Sequence, residues 1–360
     1  MSTVAHLRLC LTAAFAVALP LAAQHTAPPV AVPQIDRQAD QPTPPASHTL
    51  HLDVSVEAKA GQNVTGLQPQ EFTLFDNKTP SPITSFKVLT PTQEPVEVIL
   101  VIDAVNARFG TVAIVRDQVG RFLRADEGRL AYPTTLAVLE DKGLQSIPGF
   151  SSDGNLLDDS LKKLSIGLRE ITRSSGIYGA DDRVQISLNA VHQLSRYAAT
   201  LPGRKIILWI SPGWPLLSGP GINLDSKQHE AIFRDVVGFS NELRQSNVTV
   251  YGINPIGPAE NFLRANYYQA FEKGVGKPND TDLADLSLQV LALQSGGLAL
   301  EGSSDVAGLL KRCLADSASW YQLTVEPRPA EHPNEYHHLE VKLDKPGYKI
   351  RTRDGYYAQP

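Results

Sequence analysis

Asp103 is the residue best placed to do chemistry. It closes the apolar run Val96-Glu97-Val98-Ile99-Leu100-Val101-Ile102, the pattern of a central parallel strand buried on both faces. A carboxylate at such a strand tip, with Asn106 three residues on and Ser211 in a later loop, offers oxygens to a hard divalent cation, which needs several in a fixed cage. Val105 and Ala107 carry no ligand atom, and Pro212 follows Ser211. The other use of Asp103 is to cap its own loop by accepting backbone N–H bonds. Trp214 follows the tight Ser211-Pro212-Gly213 turn, with Pro215 stiffening the other side. Its indole is either presented at the rim as an interface anchor or packed beneath loop 216–224. Phe109, and Tyr178 in the polar loop from Arg173 to Arg183, share the same rim in this reading.

Other polar pairs read as structural. His337-His338 lie in a strand pattern, so their side chains point to opposite faces and do not chelate one ion together. Asp158-Asp159 and Asp181-Asp182 stand near helix starts, where the helix dipole favours negative charge. His192 falls at the edge of an amphipathic helix, and Cys313, among apolar neighbours, reads as a buried small residue. There is no Gly-x-Ser-x-Gly elbow, no phosphate-binding Walker loop and no His-Glu-x-x-His. These absences point away from the familiar hydrolases and give the expectation of a non-enzymatic protein.

The elements that position these residues begin after a leader. Arg8 precedes an apolar run from Leu9 to Leu19, and Leu21-Ala22-Ala23 precedes Gln24, so residues 1–23 read as a secretory signal peptide too short to span a bilayer. Cys10 lies inside that run, which leaves Cys313 as the one cysteine of the mature chain and no intrachain disulfide. Loss of Arg8 makes the net charge of −5 more negative by one, which argues against nucleic-acid binding. Residues 24–46, with Pro28, Pro29, Pro33, Pro42, Pro44 and Pro45, read as a disordered linker. No later stretch reads as a membrane helix, so the mature chain is expected to be soluble, and secreted or periplasmic.

From 47 to 93 the chain alternates as strands, at Leu50 to Val56, at Phe72 and Leu74, and at Ile83, Phe86 and Val88. Matching strands appear in 319–360, at Trp320 to Val325, His338 to Leu343 and Tyr348 to Arg353. The two end segments are expected to pair into one small β-sandwich, with 94–318 inserted between them. That middle part alternates strand and helix: a helix after Asp103 capped by Thr111, strands at Thr135–Leu139, Lys205–Ile210 and Val248–Ile253, and helices over Asp282–Leu293 and Asp305–Ala315. This order implies an α/β, Rossmann-like unit, a mainly parallel sheet with helices on both faces. Ligands of such folds gather at the C-terminal ends of the strands, where Asp103, Ser211 to Trp214 and Asn254 to Ile256 fall.

Three stretches resemble one family. Val64 to Asp76 looks like its opening motif, Val98 to Asn106 like its first core strand, and Tyr348 to Ala358, ending Arg353-Asp354-Gly355-Tyr356-Tyr357-Ala358, like its closing strand. The chain thus resembles the VWFA-related family abundant in Acidobacteria, secreted proteins with a von Willebrand factor A-like core between flanking β-segments. Such a core places Asp-x-Ser-x-Ser at the first strand tip, adding a distant Thr and a later Asp, to hold Mg²⁺ and capture a partner's carboxylate. Here Val105 and Ala107 replace the two serines and Pro212 stands where the later Asp belongs, while Thr172, Ser174 and Ser175 lie near the loop of the Thr. The resemblance bears on fold more than on function. The von Willebrand factor A-like fold, together with the loss of Asp-x-Ser-x-Ser, gives the expectation of a binding or adhesion-type protein with a degenerate metal site and no cofactor, taking a protein or cell-envelope partner. Its alternatives are a weak Mg²⁺-dependent adhesion module at Asp103 and a hydrolase of unfamiliar type at the same rim.

Overall fold

The computed structural model describes residues 49–59, 61–164, 176–216, 223–256 and 267–360. The leader and the linker, as well as Thr172, Ser174 and Ser175, lie outside them. The first strands are β1 (Leu50–Ala58), β2 (Phe72–Asp76), β3 (Thr79–Ser81) and β4 (Ile83–Leu89). In β1 the alternation is visible as burial, with Leu50, Leu52, Val54 and Val56 all inside. Asn77 and Lys78 make the β2–β3 turn with φ of 48° and 66°, a left-handed conformation that Asn tolerates better than Lys.

The middle of the chain then runs β5 (Val96–Asp103), α1 (Phe109–Arg124), β6 (Arg129–Glu140), β7 (Gly143–Ser146), β8 (Ser151–Asp153), α2 (Gly154–Lys163) and α3 (Gly176–Ala199). It continues with β9 (Arg204–Ile210), α4 (Ser226–Gln245), β10 (Val248–Ile253), α5 (Leu288–Gln294), β11 (Ala299–Leu300) and α6 (Val306–Ala315). These strands build a seven-stranded sheet in the order β11-β10-β9-β5-β6-β7, with β8 also on β6. All pairs from β11 to β6 are parallel, and β7 and β8 join antiparallel. The fold is therefore mixed α/β with a parallel-rich sheet. From β5 the chain first goes to β6 on one side and later to β9 on the other, so the strand order reverses at β5, beside β9.

Each central strand divides its side chains between two apolar clusters. Ile99, Val101, Ile207 and Trp209 pack with α3, α4 and α5 through Leu188, Ile232, Phe239 and Leu291. Val98, Leu100, Ile102 and Leu208 pack with α1, α2 and α6 through Val115, Val119, Leu157, Leu310 and Cys313. Burying each such large aliphatic side chain contributes about 1.5–3 kcal/mol, which is what holds helices on both faces of the sheet. Among the described residues no helix is long and apolar enough to cross a membrane.

The last strands are β12 (Trp320–Val325), β13 (Glu335–Leu343), β14 (Tyr348–Arg351) and β15 (Gly355–Ala358). They complete two four-stranded sheets begun by the first ones, β14-β1-β12-β4 and β15-β13-β2-β3. Leu52, Leu74, Tyr321, Leu323, Leu339 and Tyr356, drawn from both sheets, share one apolar cluster. Phe72, Phe86 and Tyr321 meet there with ring centroids 5.2–5.6 Å apart.

Three local expectations need correction. Helix α1 begins at Phe109 with Arg108 at its N-cap, so Thr111 lies inside the helix rather than capping it. The helix expected over Asp282–Leu293 is broken at Ser287, whose ψ is 154°. Asp282 and Asp285 cap each other's backbone there and close a separate 3-10 turn, Leu283–Leu286, before α5 starts. The run Tyr348–Arg353 also divides: β14 pairs with β1, β15 pairs with β13, and residues 352–354 cross between the sheets.

Candidate functional site

The loop after β5 and the loop after β9 meet at the strand-order reversal. Asp103, 1 % exposed, ends β5, and its carboxylate is filled by protein donors. The Asn106 backbone N–H donates to Oδ1 at 2.9 Å, the Asn106 side-chain amide donates to Oδ2 at 2.9 Å, and Trp209 Nε1 donates to Oδ2 at 3.2 Å. Burial pushes the Asp103 carboxyl up from its ordinary value, and the hydrogen bonds from Asn106, Ser211 and Trp209 offset only part of that rise. Asn106 also donates to Ser187 Oγ at 2.9 Å, which ties the loop to α3, and Ser187 in turn donates to the Arg183 carbonyl. Ser211 is buried, and its Oγ accepts from Gly213 N at 3.2 Å.

These residues do not form a cage for a divalent cation. Val105 and Ala107, 0 % and 4 % exposed, sit in opposite apolar clusters and bring no side-chain oxygen to the loop. Asn106 Oδ1 is buried without a hydrogen-bond donor, but it is a single oxygen beside a carboxylate already engaged. Among the described residues no group of three His, Cys, Asp or Glu side chains could hold a metal ion.

Trp214 departs from the reading of a presented indole. It is 3 % exposed and packs edge to face on Trp209, with centroids 5.4 Å apart and planes at 69°. Gly213, at φ +98°, makes this turn, and an added Cβ there would come within 2.9 Å of the Gln289 side chain. The aromatic surface near the rim lies elsewhere: Phe109 at the start of α1 is 69 % exposed and Tyr178 in the first turn of α3 is 57 % exposed. From Gly176 onward the expected polar loop is helix, because α3 begins there. The structure thus brings Asp103, Asn106, Ser211 and Trp214 into one buried constellation and leaves Phe109 and Tyr178 outside it.

The remaining acids and histidines resolve as follows. Asp158 is buried, and although burial opposes it, the hydrogen bonds and charges of Lys162 and Arg124 hold its carboxyl below the usual range. Asp181 is pushed up to about 6 by burial and then by Asp182. His192 Nδ1 meets the Glu242 carboxylate at 2.9 Å and joins α3 to α4. Cys313 is fully buried and its thiol is pushed up by burial. One cluster escaped sequence reading. His337 Nδ1 lies 2.8 Å from Asp76 Oδ1, and the Tyr356 hydroxyl donates to Asp76 Oδ2 at 2.8 Å, all three side chains being buried. The inward alternation Phe72, Leu74, Asp76 was the available signal, since it already places a carboxylate on the core face.

No family model matches the sequence, and no curated protein matches it. Among solved structures, proximal thread matrix protein 1 from the mussel byssus is similar at 12% identity over 62% of this chain, with a TM-score of 0.33. The match covers 48% of that protein, so this chain spans about half its length. The manganese-loaded TRAP protein of Plasmodium vivax is similar at 9% identity over 75% of this chain and 96% of that one, with a TM-score of 0.33. A von Willebrand factor type A structure from Catenulispora acidiphila is similar at 12% identity over 87% of this chain and 75% of that one, with a TM-score of 0.28. At such identities and scores the likeness decides nothing about function.

Proposed function

We propose that this chain is an exported, non-enzymatic binding protein of the VWFA-related kind. Its core, 94–318, is von Willebrand factor A-like and is carried on a β-sandwich formed by 47–93 and 319–360. The partner is a protein or cell-envelope ligand, engaged at the strand C-terminal rim by side chains, without a metal bridge. The observation that carries the reading is the closed hydrogen-bond shell of Asp103, which spends the carboxylate on loop architecture. Phe109 and Tyr178, exposed on the two helices nearest that loop, supply the contact surface. They start α1 and α3, and the Asn106–Ser187 hydrogen bond fixes the loop before α1 to α3.

The deciding experiment has two arms. Calorimetric titration of Mg²⁺ and Mn²⁺ into metal-stripped protein is expected to give no saturable heat, in the wild type or in Asp103→Asn. Saturable heat lost in that variant would replace this reading with the metal-dependent one. A partner bound equally well by the wild type with chelator present, and lost by a Phe109→Ala, Tyr178→Ala double variant, supports the rim. Undiminished binding by the double variant would move the surface elsewhere.

A further inference from the structure

At the opposite end of the parallel strands, where the seven-stranded sheet meets the flanking sheets, a cavity of about 320 Å³ carries an unbalanced set of charges. Arg204 opens β9, Arg244 lies in the last turn of α4, and Arg353 lies on the crossing between β14 and β15. All three line the space, together with Asp53, Glu94, His51, Asn247 and Gln322.

Each carboxylate has a neighbour, although Asp53 Oδ2 accepts no hydrogen bond. Asp53 Oδ2 lies 3.7 Å from Arg204 Nε, Gln322 donates to Asp53 Oδ1 at 3.3 Å, and Asn247 donates to Glu94 at 3.3 Å. Arg244 and Arg353 have no carboxylate within 4.0 Å among the described residues. Arg353 Nη2 donates to the carbonyls of Leu243 and Val248 at 2.9 and 2.6 Å, which orients the guanidinium without neutralising it. Arg244 donates only at 3.4 Å to Asn241, and its Nε has no acceptor. Arg204, 2 % exposed and stacked over Trp320 at 5.1 Å, leaves Nε and Nη1 without hydrogen bonds. Unpaired donors in a confined space are costly unless something accepts from them. Burial, and next the charge of Arg244, press the Arg353 guanidinium down to about 10, against the opposing charge of Asp53.

We infer that this cavity binds a small molecule or ion through an oxoanion group, a phosphate or carboxylate, held between Arg244 and Arg353. Planar guanidinium forks suit such oxygens, and the space matches the lower end of small-ligand pockets.

The test is calorimetric titration of the whole chain in a chloride buffer at fixed ionic strength, with inorganic phosphate, glycerol phosphate and succinate as probes. Saturable binding of at least one is expected, weakened roughly ten- to hundredfold in Arg244→Gln with its thermal midpoint in chloride unchanged. Phosphate binding as tightly as its ester assigns the site to the free ion. A tighter ester assigns it to a phosphorylated molecule, and a tighter succinate to a carboxylate. If Arg244→Gln does not fold, Arg244→Lys, which keeps charge but loses the fork, must show the same direction of loss. No saturable binding by any of the three, or equal binding by the variant, overturns the inference.

Discussion

Trp209 Nε1 donates to Asp103 Oδ2 at 3.2 Å, joining β9 to β5 across the point where the strand order reverses. The same indole carries Trp214 on its face, so the loop after β9 and the loop after β5 are braced against one another by one side chain. The rim is built from the inside, with the carboxylate as its keystone.

Asp103→Asn should therefore cost stability rather than an activity. The amide presents an N–H₂ group to donors that already fill the site, leaving at least one of them unpaired. We expect a loss of about 1–3 kcal/mol in urea unfolding, with an unchanged m-value. A variant as stable as the wild type would show that the carboxylate does not hold the loops.

Asp285 sets a pH dependence. It is buried, and its carboxyl is pushed up to about 7 by burial and by Asp282, against the backbone hydrogen bond from Asp282. The folded state thus keeps a proton that the unfolded state has already released. This contribution is complete below the unfolded value of 3.8 and is lost as pH rises toward about 7. Asp285→Asn, which can still accept the bond from Asp282 N, should be more stable than the wild type at pH 8, on the order of 2 kcal/mol, and equal at pH 3.5. Parallel unfolding curves at all pH values would contradict it.

Removing one hydroxyl tests the His337–Asp76–Tyr356 cluster. In Tyr356→Phe, Asp76 Oδ2 loses its donor and the Arg328 backbone N–H loses its acceptor. One loss falls on β2 and the other on the loop between β12 and β13, so unfolding should cost about 1–3 kcal/mol less, with α-helical content unaltered in the native baseline. A neutral result would mean that water replaces the hydroxyl.

Cys313 should resist thiol reagents while the chain is folded. Its side chain is enclosed by α6 and the sheet, and the thiol is held protonated by burial. Labelling by a disulfide reagent is expected only at the rate of unfolding, rising steeply through the urea transition. Prompt labelling in native buffer would place the thiol at the surface.

Much of this was legible in the chain. The run Val96 to Asp103 and the run Lys205 to Ile210 read as buried strands because their burial on both faces leaves no polar alternation, and Trp320 to Val325 is a strand over the same residues in the structure. Periodicity tells which way side chains face, not what they face. Asp76 follows the inward residues Phe72 and Leu74, and His337 precedes the inward Leu339 and Val341, but only the pairing of β13 with β2, residues far apart in sequence, makes them partners. The Trp214 turn shows the complementary limit: Pro212-Gly213 announces a sharp bend, while its direction depends on the Trp209 surface beneath. The break at Ser287 escaped because a reciprocal Asp282–Asp285 cap interrupts a sequence whose apolar spacing still reads as helical.

Leu89 at the end of β4 stands opposite Trp320 at the start of β12, so the chain leaves the flanking sheets and re-enters them at neighbouring positions. During synthesis β1, β2 and β4 emerge first, yet their partners β12 to β15 are made only after the whole seven-stranded unit. Until then the early strands have open edges, and the entropic cost of closing so long a loop falls once the intervening unit is compact. The flanking sheets are thus a late checkpoint: a nascent chain truncated anywhere before Trp320 leaves β1 and β4 without any strand partner, and β2 paired only with β3, open to capture by a chaperone or a protease.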